Sequence, residues 1–388
     1  MEEILNLKHN FISTSINFMP TIAELIKHLE SFAPLSLQES YDNAGLITGN
    51  KNWECSGLIC TLDATEEVIL EAKAKNCNLI VAHHPIVFKG LKKFNGNDYV
   101  EKSIITALKN DIAIYAIHTN LDNVVNGVSG RMASLLGLKN VSVLSPQKNS
   151  LKKLTVFVPT EKATHLRNAL FQAGGGHIGN YSHCSFNSEG VGTFRANEDA
   201  TPYIGNVGET HFEKETKLEI IFPSYLESLM VHEMKAAHPY EEVAYEIIHL
   251  DNEQKQIGSG VIGEYGEPLD ERSFLNLLKE KFNLQVIRHT KLLGKPVRKI
   301  ALCGGAGSFL IGHALACDAN FFISADIKYH EFFDANDRMV IADIGHFESE
   351  QFTIDQLYEI LHHKFPTFAI LKTEVRTNPV QYFTDING

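Results

Sequence analysis

The sequence predicts an α/β protein whose body is assembled from both ends of the chain, with an α+β unit inserted between them. Three observations carry that reading. Apolar strand-like runs alternate with helical stretches over residues 19–145, the pattern of a mainly parallel sheet covered on both faces. The composition turns polar at Ser145 to Ser150 and at Asp251-Asn252-Glu253-Gln254, and the pattern between those stretches is different. From Gly258 onward the α/β alternation resumes. The expected division is a disordered leader at 1–18, a first half-body at 19–145, an insert at 146–255 and a second half-body at 256–388.

In the first half, Pro20 suits the opening turn of a helix on which Ile22, Leu25, Ile26 and Leu29 share one face. A polar turn, Tyr41 to Leu46, follows. Gly57 to Leu62 reads as a strand, and Asp63 with Glu66 three residues later resembles a helix N-terminus. Leu79-Ile80-Val81 is a short buried strand stopped by Pro85, which has no N–H to donate. A helix carrying Val100, Ile104, Ile105 and Leu108 leads to the strand Ile112 to Ile117. A further helix carries Met132, Leu135 and Leu136.

In the insert, Leu154 to Val158, His177 to Phe186, Lys217 to Phe222 and Glu242 to Leu250 read as strands, with a weak one around Val191 to Phe194. Glu161 to Ala173 and Tyr225 to Ala237 read as helices. An elaborated ferredoxin-like domain is the simplest description. Beyond it, the order is helix (Asp270 to Asn283), strand (Lys299 to Cys303), tight turn (Gly304 to Ser308), helix (Phe309 to Cys317), strand (Asn320 to Ile323) and strand (Arg338 to Ala342).

Composition sets bounds. At 388 residues the chain holds two or three domains of about 100–200 residues each. A net charge of −12 argues against a general binder of phosphate backbones, so a nucleic-acid partner is not expected. Six scattered cysteines without a C-x-x-C pair suit buried thiols in a reducing, cytoplasmic setting. No apolar run reaches the roughly 18 residues of a membrane span. Met1 to Phe18 lacks the apolar core of a signal peptide.

The chemistry gathers at strand ends. Three apolar runs finish in His83-His84-Pro85, in His118-Thr119-Asn120-Leu121-Asp122, and in Asp343-Ile344-Gly345-His346-Phe347-Glu348-Ser349-Glu350. The carboxyl ends of strands are where open α/β sheets keep their ligand crevices. His346 and Glu350, spaced i, i+4, share a face if a helix begins near Gly345 and runs through Leu357 and Leu361. His83, His84, Asp122, His346 and Glu350 are nitrogen and oxygen ligands without cysteine. They fit a dinuclear site with open positions for water better than a closed structural zinc. Zinc is the first expectation, with iron, manganese or nickel admitted by the same donor set.

These stretches resemble the signatures of the GTP cyclohydrolase I type 2 homologue family, the NIF-three-like proteins. Supporting matches are Tyr41 to Leu46, Ala237 to Glu242, Cys303 to Ser308 and Asp326 to His330, in family order from Met19 onward. Ala325 stands where the family usually has glycine. The resemblance implies two divalent ions per subunit, bridged by Glu350, in a homohexameric, trimer-based toroid with the sites facing an internal cavity. It implies a PII/CutA-like insert and a nucleotide substrate, with GTP ring-opening as the name suggests.

The expected function is therefore a metal-dependent hydrolase, with His330 or His118 as proton carrier. His118 otherwise reads as a group orienting Asp122 or a ligand histidine. Asp326 and His330 read equally as cleft-lining groups or as a helix cap and a packed histidine. His238 to Glu242 reads as a stabilised turn rather than a ligand site. The Gly304 to Ser308 turn is a weak phosphate-cradle candidate, since it lacks the Walker Lys-Ser/Thr. The rival is a non-catalytic, ring-forming metal-binding regulator or scaffold.

Overall fold

The computed structural model describes residues 19–383; the expected leader at 1–18 lies outside the described residues. The first stretch contains α1 (Ile22–Phe32), β1 (Gly45–Thr48), β2 (Leu58–Thr61), α2 (Glu66–Ala74), β3 (Leu79–Ala82) and α3 (Tyr99–Lys109). It continues with β4 (Ala113–Ala116), the one-turn α4 (Thr119–Asp122), α5 (Val128–Leu135) and β5 (Lys139–Gln147). Thr21, not Pro20, opens α1: its hydroxyl accepts from the Glu24 N–H while Glu24 reaches back to the Thr21 N–H at 2.8 Å, a capping box.

The middle stretch contains β6 (Leu151–Pro159), α6 (Ala163–Gln172), β7 (Phe186–Arg195), β8 (Thr210–Pro223), α7 (Glu227–Ala237) and β9 (Tyr245–Leu250). The last contains β10 (Gln254–Leu269), α8 (Glu271–Phe282), β11 (Arg288–His289), β12 (Val297–Ala306), α9 (Ile311–Ala316), β13 (Phe321–Ala325) and β14 (Val340–Asp343). It closes with α10 (His346–Glu350), α11 (Thr353–Lys364) and β15 (Ile370–Lys372).

Three sheets result. The first has the order β1-β4-β3-β2-β15 and is parallel except for β1 at its edge. Its strands alternate faces: Leu58, Cys60, Leu79, Val81 and Tyr115 pack with α1 and α11, while Ile59, Ile80 and Ile114 pack with α2 and α3. The second sheet has the order β11-β14-β13-β12-β10-β5, and within it β12, β13 and β14 are parallel and the remaining pairings antiparallel. Ile300, Leu302, Phe321 and Ile323 face α8, while Ala301, Cys303 and Phe322 face α9. The first sheet has the mainly parallel, doubly covered form expected for residues 19–145, and the second is mixed.

The two sheets exchange strands. β15, from the end of the chain, pairs with β2, and β5, from the first half, pairs with β10. The polar boundary expected from Ser145 is overridden by this pairing: β5 runs on to Gln147, opposite Gln254 of β10. The sequence reading misses both strands because serines and a proline interrupt β5 and glycines punctuate β10, weakening the alternation that marks a strand.

The third sheet, β7-β8-β6-β9, is antiparallel throughout. Leu154, Val156, Leu218, Ile220 and Phe222 bury one face against Leu166 and Leu170 of α6 and Met230 and Met234 of α7. The expected strand at His177 to Phe186 is an irregular segment; the strand begins at Phe186 and takes in the weak candidate at Val191.

Candidate metal centre

The two body sheets meet at the carboxyl ends of their parallel strands. Past β3, the His83 N–H donates to Thr61 O (3.1 Å) and the His84 N–H to Leu62 O (2.9 Å), so the ladder holds both histidines before Pro85 ends it. Their rings lie with centroids 4.9 Å apart, on one side of the chain despite being adjacent. Past β4, the single turn of α4 places Asp122 one turn beyond His118.

Past β14, Gly345 takes φ +92°, a left-handed backbone that makes the sharp turn into α10. The i, i+4 pair then meets, His346 Nε2 lying 3.2 Å from Glu350 Oε2. The helix expected from Gly345 through Leu361 is broken at Gln351 and Phe352 into α10 and α11. At the end of β12, Gly305 has φ +62°, and a Cβ there would stand 2.4 Å from Glu350 Oε1. The glycine turn therefore lets the carboxylate lie against backbone. Its Gly304 and Gly305 N–H groups are spent on Ser129 and Ser349 hydroxyls, which leaves them no phosphate to cradle.

Four imidazoles point Nε2 toward this meeting point, each with Nδ1 against an oxygen. His83 Nδ1 donates to Ile117 O, His84 to Asp63, His118 to Asp42 and His346 to Asp326, all at 2.8 Å. Such partners fix the ring orientation and raise the basicity of the inward nitrogen, as the outer carboxylates of metal-bound histidines do. Ligand atoms of His83, His84 and His118 lie within 4.8 Å of one another, as do those of His84, His346 and Glu350. Glu350, 3% exposed, turns Oε1 toward His83 (3.8 Å) and Oε2 to His84 (2.9 Å).

Within this cluster, two buried atoms have no hydrogen-bond partner among the described residues: His83 Nε2 and Asp122 Oδ1, 3.7 Å apart. An unpaired polar atom in a packed interior costs about 1–3 kcal/mol. A divalent cation accepting both lone pairs removes that cost, so the donor set fits a metal.

Charge agrees. Burial opposes ionisation of Glu350, but His346 and His84, within hydrogen-bond distance of it, hold its carboxyl well below the usual range. Burial alone would lower His84; Asp63 and Glu350 outweigh it and push its pKa up to about 10. Burial would likewise lower His346, but Glu350 and then Asp326 raise it to about 9. Asp122 is raised, chiefly by burial. Asp42 is driven down to about 2, because bonds from His118 and Thr119 overcome its burial. Without a metal, protons on His84 and His346 offset the carboxylates.

Cavities flank the cluster on two sides. One of about 630 Å³ meets His84 and His346 and is walled by Phe88, Tyr99, Phe347 and Arg288. The other, of about 470 Å³, meets Asp122, Glu350 and the glycine turn under Tyr41 and Phe309. His118 borders both.

The structure thus gathers His83, His84, His118, Asp122, His346 and Glu350. His330 stands apart: it is exposed, with its ring against Tyr329 and Phe333 rather than the four converging imidazoles. Asp326 lines the cleft and orients His346. Asp63 and Asp42 are the residues that sequence reasoning misses in this role. Asp63 does not cap α2, whose N-cap is Thr65; its carboxylate accepts from His84 and Thr377. The available signal was that β2 also ends in a carboxylate.

Residues 20–379 match the family model described as Duf34/NIF3 (NGG1p interacting factor 3). The chain belongs to the Duf34/NIF3 family. Relatives named "GTP cyclohydrolase 1 type 2 homolog" include one from Halalkalibacterium halodurans, 38% identical over 363 residues (92% of this chain, 98% of the relative). Another, from Bacillus subtilis, is 35% identical over 367 residues (92% and 98%). Among solved structures, a Bacillus cereus protein related to NIF3 superposes with a TM-score of 0.82 at 37% identity, covering 94% of this chain and all of that one. This Duf34/NIF3 chain therefore places its histidine–carboxylate cluster within a fold shared along nearly its whole length. No described helix is long and apolar enough to cross a membrane.

Proposed function

We propose that this Duf34/NIF3 protein binds two divalent metal ions and is a metal-dependent hydrolase acting on a nucleotide. The observation that carries the reading is the set of four inward Nε2 atoms, each imidazole pinned at Nδ1, around two buried atoms that lack a partner. His83, His84, Asp122, His346 and Glu350 would hold the ions, and His118 is placed to join them. Glu350 faces the two histidine groups with different oxygens, the posture of a bridging carboxylate. Two bound ions lower the pKa of water and offset the negative charge that develops on hydrolytic attack. Asp42, Asp63 and Asp326 orient the rings, and the larger cavity offers aromatic walls and a guanidinium for a nucleotide.

We further propose a homohexameric toroid in the cytoplasm and an inserted ferredoxin-like, PII/CutA-like domain at 146–255. Family membership supports the first. The antiparallel sheet with two helices on one face supports the second.

The test is GTP turnover by metal-reconstituted protein with products identified by mass spectrometry, run beside Glu350→Ala. A ring-opened or formylated product absent in the variant supports the hydrolase. No product with zinc, iron or manganese removes GTP as substrate. The non-catalytic regulator is favoured by a separate cavity in the 151–250 unit. It gains if a ligand there alters assembly without turnover.

A further inference from the structure

A cavity of about 460 Å³ opens in the 151–250 unit, away from the metal centre, in the size range of small-molecule sites. Its walls are aromatic: the Tyr240 ring centroid lies 6.0 Å from that of Phe194 and 6.2 Å from that of Tyr203, the planes inclined by 59° and 50°. Its rim is acidic, with Glu215, Glu241 and Glu242 against Arg195 as the one cation among the lining residues.

The cage is built rather than incidental. Tyr240 Oη donates to Glu215 Oε1 at 3.0 Å, and a Cβ on Gly192 would stand 2.0 Å from Glu215 Oε2. Glycine at that strand position therefore leaves room for the carboxylate. The Thr201 N–H donates to Glu241 Oε1 at 2.9 Å, tying the segment that carries Tyr203 to the turn that carries Tyr240. Burial first, then the Glu215 carboxylate, holds the Tyr240 phenol above its usual range, so the ring stays neutral with its π face intact. Among the described residues no three metal-ligating atoms converge here, which disfavours a bare metal ion.

We propose that this cavity binds a small organic cation, a quaternary or primary ammonium, at a site separate from the metal centre. Aromatic faces attract such a cation through their quadrupoles, and the carboxylate rim supplies the counter-charge. The site gives a role to the His238 to Glu242 turn that metal chemistry does not use.

The experiment is calorimetric titration of the full-length, metal-loaded protein with choline and with spermidine, and with 3,3-dimethylbutan-1-ol as the uncharged match of choline. At least one cation binds saturably, and the alcohol binds at least about tenfold more weakly. Tyr240→Ala lowers cation affinity by about tenfold or more. Glu215→Gln, which keeps a hydrogen-bond acceptor for Tyr240, lowers it several-fold at unchanged melting temperature and metal content. Equal affinity for the alcohol, absence of saturable binding by either cation, or unaltered affinity in Glu215→Gln overturns the proposal.

Discussion

His83 and His238 are both buried, at 0% and 7% exposure, and both are fixed by a backbone carbonyl. His238 Nε2 donates to Phe157 O at 2.9 Å, and its Nδ1 accepts from the Tyr240 N–H at 3.1 Å. Both nitrogens are satisfied within the chain, and the ring serves as a strut between strand and turn. His83 spends Nδ1 on Ile117 O and leaves Nε2 facing Asp122 Oδ1 at 3.7 Å and Glu350 Oε1 at 3.8 Å, both beyond hydrogen-bond reach. Burial alone therefore does not distinguish a working histidine from a structural one. The distinction lies in the nitrogen that the fold leaves open.

The largest test of that contrast is Glu350→Ala. It removes the carboxylate shared by the two histidine groups, and metal affinity falls by more than about 100-fold, a loss beyond that typical of outer-shell changes. Metal content after dialysis, read by plasma mass spectrometry, checks it; retention of both ions would sink the bridging role. Asp63→Asn comes next. His84 loses its orienting anion but remains in place, and affinity falls by roughly 10- to 100-fold, measured by competition with a chromophoric chelator.

His238→Ala tests the other side. Removing a buried partner destabilises the 151–250 unit by about 1–3 kcal/mol, seen as an earlier denaturant midpoint, while metal content is unchanged. A drop in metal content would mean that the two regions are coupled.

The smallest effect is a difference in the sign of pH dependence in metal-free protein. The folded pKa of His84, about 10, lies above the ordinary value near 6.5, so its contribution is complete below about pH 6.5 and is lost as pH rises toward 10. His238 is the reverse: burial, only partly offset by the Phe157 carbonyl, lowers its pKa, so the unfolded chain takes up the proton first and stability is lost as pH falls below about 6.5. Each slope stays under about 1.4 kcal/mol per pH unit. Denaturant titrations at acid, neutral and alkaline pH separate them; slopes of the same sign in both regions would contradict the assignment.

What was legible in the sequence follows the range of the interactions. His83, His84, Asp122, His346 and Glu350 stand just beyond short apolar strands, a local pattern that one chain displays by itself. The partners that orient them are remote: Asp42 lies 76 residues from His118, and Asp63 lies 21 from His84. Asp63 even imitates a helix cap, because an acid three residues ahead of a glutamate has that form whatever its carboxylate does. β5 and β10 went unread because their strand character comes from pairing with each other across the insert, not from their own alternation. His330 also follows a strand end closely in sequence, but the 3-10 segment Tyr329–Ala335 leaves it exposed, with its ring against Tyr329 and Phe333.

The strand exchange between the two body sheets has a consequence for synthesis. His84 and Glu350 are 266 residues apart, and the first sheet gains its β15 edge only when Ile370–Lys372 has been made. A ribosome-bound chain displays the histidine pair long before the acidic helix that completes its surroundings. On the proposed metal-binding reading, loading is thus a late event, and a prematurely terminated chain keeps two histidines without the carboxylate that would complete their site.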